Sequence, residues 1–146
     1  MGAGLNRTLS IWETNNATPI ATISESGVRF EHVALSASGT LLAATTGVNG
    51  DVLLYDLNQP ARPRRVTAIG QRGVTALTFS PDETMLALGD LRGFVTLVAV
   101  ADPTQSHGSF RAHGSEIQAL LFYPEDPILA TASRDGTVRL WGFGPE

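Results

Sequence analysis

The sequence has no cysteine, which excludes a disulfide framework, a thiolate zinc site and a cysteine nucleophile. It also agrees with a reducing compartment, so a cytoplasmic location is the expectation. Charge is sparse, with 16% of residues charged and a formal net charge of −4. Nucleic acid and anionic membrane surfaces draw proteins through clustered positive charge, so neither is expected as a partner. The one basic cluster, Arg62, Arg64 and Arg65 around Pro63, is short. No apolar run approaches the ~20 residues that span a bilayer, and the N-terminus lacks a basic start followed by an apolar core. Met1 and Gly2 begin a myristoylation-like pattern, but Asn6 stands where Ser or Thr is required. Helical spacing of apolar residues is nowhere sustained, which removes the α-helical classes.

What is present is glycine and proline, 15 and 8 of them, spread along all 146 residues. Such spacing implies many turns between short elements, and 42% hydrophobic residues is the balance of a folded chain, so an all-β domain is expected. The decisive feature is internal repetition. Trp12, Tyr55, Val98 and Trp141 stand 43 residues apart, each closing a strand-like segment such as Asp51-Val52-Leu53-Leu54-Tyr55 or Thr137-Val138-Arg139-Leu140-Trp141. Five residues before them come Arg7, Gly50, Gly93 and Gly136, three glycines where a turn needs positive φ.

A second landmark recurs in step with the first. Leu35-Ser36-Ala37-Ser38-Gly39-Thr40-Leu41, Phe79-Ser80-Pro81-Asp82-Glu83-Thr84-Met85 and Phe122-Tyr123-Pro124-Glu125-Asp126-Pro127-Ile128 each read as strand, tight polar turn, strand. Leu35 to Phe79 is 44 residues and Phe79 to Phe122 is 43, which places one extra residue in the first copy, near Thr46, Gly47 and Val48. Another strand is expected near 19–24, 63–69 and 107–112. The units therefore run over 14–56, 57–99 and 100–142, preceded by one leftover strand at 6–13. About thirteen strands result, enough for two complete four-stranded blades with a partial blade at each end.

In the last copy Ala112-His113-Gly114, Phe122-Tyr123-Pro124-Glu125-Asp126, Leu129-Ala130-Thr131-Ala132-Ser133-Arg134-Asp135-Gly136 and Thr137-Val138-Arg139-Leu140-Trp141 resemble the WD-repeat propeller family. The resemblance implies a partial, open β-propeller of about three four-stranded antiparallel blades. It also implies a hydrogen-bonded set of His113, Thr131, Asp135 and Trp141 that ties one blade together. The middle copy departs, with Ile69 or Gly70, Leu88, Arg92 and Val98 at those positions, and the first has Ser24-Glu25-Ser26-Gly27 where the histidine belongs. Packing in place of polar bracing is expected to hold those two blades. A closed propeller needs at least four blades, so the expectation is the C-terminal part of a larger protein, its exposed ends covered by the remaining blades or by self-association.

No catalytic constellation stands out. His32, His107 and His113 lack metal-ligand spacing, so no metal and no cofactor are expected. The carboxylates Asp82, Glu83, Glu125 and Asp126 recur at one turn and serve its geometry. Ser36, Ser80 and Ser133 lack a nucleophile-elbow setting, and Gly47-Val48-Asn49-Gly50 has no following helix to make a phosphate loop. A non-enzymatic protein–protein interaction scaffold is the leading expectation, its partner a protein. The resemblance implies that the loops before the second and fourth strands of each unit share a rim, which offers Arg29, Arg72, Arg92, Glu116 and Arg134. Guanidinium forks there suit an acidic or phosphorylated partner, while ordinary solvated charge is the plainer reading. The other functional classes are a propeller-type lactonase or hydrolase with an axial site, and a structural subunit that completes a ring.

Overall fold

The computed structural model describes residues 2–3, 8–24, 28–47, 51–59, 62–67 and 73–142, and every regular element among them is a β-strand. Arg72, Asn49, Gly50, Ile69, Gly70 and the 25–27 stretch lie outside the described residues. Among the described residues fourteen strands form four antiparallel sheets. The first sheet holds β1 (Gly2–Ala3), β2 (Thr8–Trp12) and β3 (Pro19–Ser24). The second runs β4 (Phe30–Leu35), β5 (Leu41–Thr46), β6 (Val52–Asp56), β7 (Arg64–Val66). The third runs β8 (Val74–Phe79), β9 (Met85–Asp90), β10 (Phe94–Ala99), β11 (Ser106–Arg111). The fourth holds β12 (Ile117–Phe122), β13 (Ile128–Ser133) and β14 (Val138–Gly142). The architecture is all-β, an open array of propeller blades in which two are complete. The short β1 is the strand that sequence reading did not expect.

Consecutive strands pair because polar turns return the chain on itself. The first copy's extra residue falls between Gly47 and Val52, one step longer than Leu91 to Val95 or Arg134 to Val138. Gly93 and Gly136 adopt φ of 89° and 85° in the turns after β9 and β13, a region that costs other residues strain.

Three apolar cores lie between successive sheets. Leu9, Ile11, Ile23, Phe30, Leu42 and Tyr55 join the first two sheets. Val52, Leu54, Val74, Leu77, Leu86 and Leu88 join the second and third. Ala76, Ala87, Val95, Ile117, Leu120 and Leu129 join the third and fourth. Burying a side chain of this size contributes about 1.5–3 kcal/mol, and each core exists only because a neighbouring sheet covers it.

The inner strands β4, β8 and β12 each carry a register irregularity near their start, at Phe30/Val33, Val74/Ala76 and Ile117/Ala119. A bulge resets the side-chain alternation. The bulge in β8 thus puts Val74 on the same face as Leu77 and Phe79, in the core between the second and third sheets, while Ala76 faces the core between the third and fourth.

Candidate functional site

The turn after each second strand meets the residue before the first strand of its sheet through one recurring bond. The Gly47, Leu91 and Arg134 N–H groups donate to the Arg29, Gly73 and Glu116 carbonyls at 2.7, 3.2 and 3.0 Å. This bond sets equivalent positions along a single rim. Arg29 and Arg134 flank it directly, and Arg92 follows Leu91 in the same turn. Arg29, Arg92 and Arg134 are exposed. The Arg134 guanidinium pairs with the Glu116 carboxylate at 3.4 Å, so these two members of the expected rim partly neutralise each other. Among the described residues, neither Arg29 nor Arg92 makes an ion pair.

Behind the rim the bulged inner strands line an axial cavity of about 340 Å³ with Glu31, His32, Thr75 and Gln118 on its wall. No group of three or more His, Asp or Glu side chains able to hold a metal occurs among the described residues. His107 is exposed on β11. Ser36 and Ser80 are turn caps, their hydroxyls accepting the Leu41 and Met85 N–H groups at 3.0 Å each. The Ser133 hydroxyl donates to the Ser115 carbonyl at 3.1 Å and accepts the Asp135 N–H at 3.2 Å.

In the fourth sheet the side chains of His113, Thr131, Asp135 and Trp141 meet. The Trp141 indole N–H donates to Thr131 Oγ1 at 3.1 Å. The Asp135 carboxylate only accepts, so the imidazole proton of His113 belongs on Nδ1 and the bare Nε2 accepts from the Thr131 hydroxyl, 2.6 Å away. The Nδ1–H donates to Asp135 Oδ2 at 2.9 Å. The Thr137 hydroxyl donates to Asp135 Oδ1 at 2.6 Å and its backbone N–H at 2.9 Å. Led by that hydroxyl, these donors hold the Asp135 carboxyl well below the usual aspartate range. His113 and Thr131 are buried, and all buried side-chain polar atoms among the described residues have partners.

A family model described as "WD domain, G-beta repeat" matches residues 104–142, the stretch that holds β11 to β14 and this bonded set. The chain belongs to the WD-repeat family. Its WD-repeat relatives include WD repeat-containing protein 1-B of Xenopus laevis, 30% identical over 71% of this chain and 17% of the relative. The Target of rapamycin complex subunit wat1 of Schizosaccharomyces pombe is 27% identical over 99% of this chain and 45% of that protein. Actin-interacting protein 1 of Drosophila melanogaster is 30% identical over 89% of this chain and 25% of the relative. The chain thus spans less than half of the length of each of these relatives.

The other WD-type blades are not held by packing alone, which corrects the expectation drawn from their missing histidine and tryptophan. In the third sheet the buried Asp90 carboxylate accepts the Arg92 and Phe94 N–H groups at 2.8 and 3.0 Å, capping the turn from a different position. The second and third blades are tied by Glu83, whose Oε1 accepts the Ser38 hydroxyl at 2.6 Å and the Ser38 N–H at 2.9 Å. The sequence does not mark either residue for such a role, because the bonding partner lies in a neighbouring blade or within the turn itself. The expected basic cluster is spent on structure too: Arg64 donates to the Val100 carbonyl at 2.9 Å and Arg65 pairs with Asp51 at 3.0 Å.

Proposed function

We propose that the chain is a non-enzymatic protein–protein interaction scaffold in the cytoplasm, its exposed rim offering Arg29, Arg92 and the Arg134–Glu116 pair to an acidic or phosphorylated segment of a partner. The observation that carries this reading is a bonded framework of stacked blades with loops at equivalent positions on one rim; rigid frameworks with such loops are where recognition residues sit. Two relatives, one a complex subunit and the other an actin-interacting protein, support an interaction role. The cytoplasmic setting is supported by the absence of cysteine. The rest of a longer chain or a partner copy would cover the outer sheets.

Quantitative affinity capture with the chain and with an Arg29→Glu/Arg92→Glu variant tests the reading. A discrete set of proteins retained by the chain and depleted at least severalfold by the variant is the expected outcome. Equal recovery by both proteins contradicts the role given to the rim, and equal recovery by an unrelated β-protein contradicts the scaffold reading itself.

A further inference from the structure

On the side of the array opposite the arginine rim, the three strand–turn–strand motifs put their polar turns next to one another. The same sequence positions behave differently at the two junctions. Between the second and third blades, Ser38 and Glu83 close the gap with their paired bonds of 2.6 and 2.9 Å. One junction further on, the motif alignment puts Asp82 in the place of Ser38 and Asp126 in the place of Glu83. Two carboxylates repel where a hydroxyl and a carboxylate clasp, so that bridge cannot form.

What lies there instead is an open groove of about 410 Å³, with Asp82, Glu125 and Asp126 on its border. Its floor is apolar, made by Met85, Leu97 and Phe122 with Pro81, Pro124 and Pro127. Leu97 and Phe122 are the partly buried edge of the core between the third and fourth sheets. The volume is within the ~300–1,000 Å³ of small-ligand and anchor pockets. The prolines stiffen the walls, which lowers the ordering cost on binding. The Ser80 and Thr84 hydroxyls donate to Asp82 Oδ1 at 2.6 and 2.7 Å and, Ser80 foremost, hold its carboxyl below the usual range. None of the three carboxylates is in an ion pair with a described residue.

We infer that this groove is a docking site for an extended peptide segment that inserts a bulky apolar side chain, Leu or Phe, with a Lys or Arg beside it. The apolar chain covers the exposed edge of the core, and the cation supplies the charge that the facing carboxylates lack. The inference rests on the scaffold reading but not on the arginine rim, which lies at the other ends of the strands.

The test uses the full chain and short labelled peptides carrying Leu or Phe between basic residues, read by fluorescence anisotropy. Saturable binding is expected, weakened about tenfold or more when the basic residues become Glu or the apolar residue becomes Gly, and falling with salt. Asp126→Lys should lower affinity by a similar factor, and Arg92→Glu on the far rim should leave it unchanged. In the unaltered protein the Met85 and Leu97 methyl resonances should shift on peptide addition, which keeps the test valid if a variant misfolds. Indifference to charge reversal, unmoved methyl resonances, or loss of binding in Arg92→Glu overturns the inference. So does self-association that competes with the peptide, which would assign the groove to a second copy. Partners that survive Asp126→Lys yet are lost in Arg29→Glu/Arg92→Glu would leave the scaffold reading standing and remove the groove from it.

Discussion

At the scale of single residues, backbone approach and hydrogen-bond direction decide what can be changed. Gly93 has a φ of 89°, and a methyl group there would lie 2.1 Å from the His113 carbonyl oxygen. Gly93→Ala is therefore expected to cost about 2 kcal/mol or more, seen as a lowered denaturant midpoint with an unchanged slope. Asp135 sets a pH dependence. Its carboxyl is depressed, so its contribution to stability is fully present above the ordinary aspartate pKa of about 3.9 and is lost as pH falls through the lower folded value. Denaturant midpoints should fall on acidification below about pH 4, and Asp135→Asn should flatten that decline; an equally steep fall in the variant would contradict the role given to the carboxylate. The His113, Thr131, Asp135, Trp141 set was legible through the resemblance to the WD-repeat family, because the last copy keeps all four of the residues that the family pattern places together. Asp90 was not legible, because it replaces an acid two positions later in the turn and the two solutions share no sequence signature.

At the scale of strands and blades, the sequence spacing told where elements fall but not how blades touch. The strand expected at 19–24 is β3 at Pro19–Ser24, because the repeat period places it even though Ile23 alone of its residues is buried and Ile20 is 63% exposed. Contacts between blades join residues about one repeat apart with no local pattern. Gly89 illustrates this: a methyl group there would lie 2.5 Å from Ile117 of the next blade, so the third and fourth sheets approach closely only because β9 has no side chain at that point. Ile117 is fully buried, and Ile117→Ala should cost roughly 2–5 kcal/mol. Gly89→Ala should destabilise by itself, and the pair should be less destabilised than the sum, a coupling that a double-mutant cycle measures. Glu83 is the counterpart among polar contacts. It holds a φ of 62°, unusual for a residue with a side chain, while the Ser36 and Ser38 hydroxyls hold its carboxyl below the usual glutamate range. Its contribution is present above the ordinary glutamate pKa and disappears as pH falls through the depressed value, so Glu83→Gln should remove part of the acid sensitivity without altering the fold, as checked by circular dichroism. The rim was only partly legible for the same reason: four arginines could be read off the chain, but the pairing of Arg134 with Glu116 depends on a turn and a loop that only the recurring backbone bond brings together.

For the whole molecule, stability grows from sheet covering sheet, and the outermost sheets are covered on one side only. Val138 and Leu140 on β14 are each 71% exposed, on a strand bonded along one edge to β13. Such edges invite pairing with another chain. Concentration-dependent association is expected in sedimentation velocity, reduced by Val138→Lys/Leu140→Lys. The central claim, that each blade is a unit sealed by its neighbour, is tested most directly by native-state hydrogen exchange resolved to single amides. The bonded amides of β5 and β9, in the middle of complete blades with cores on both faces, should exchange slowest, and those of β14 should exchange faster by orders of magnitude. Protection in β14 equal to that in β9, or uniformly rapid exchange through β5 and β9, would contradict the stacked-blade account.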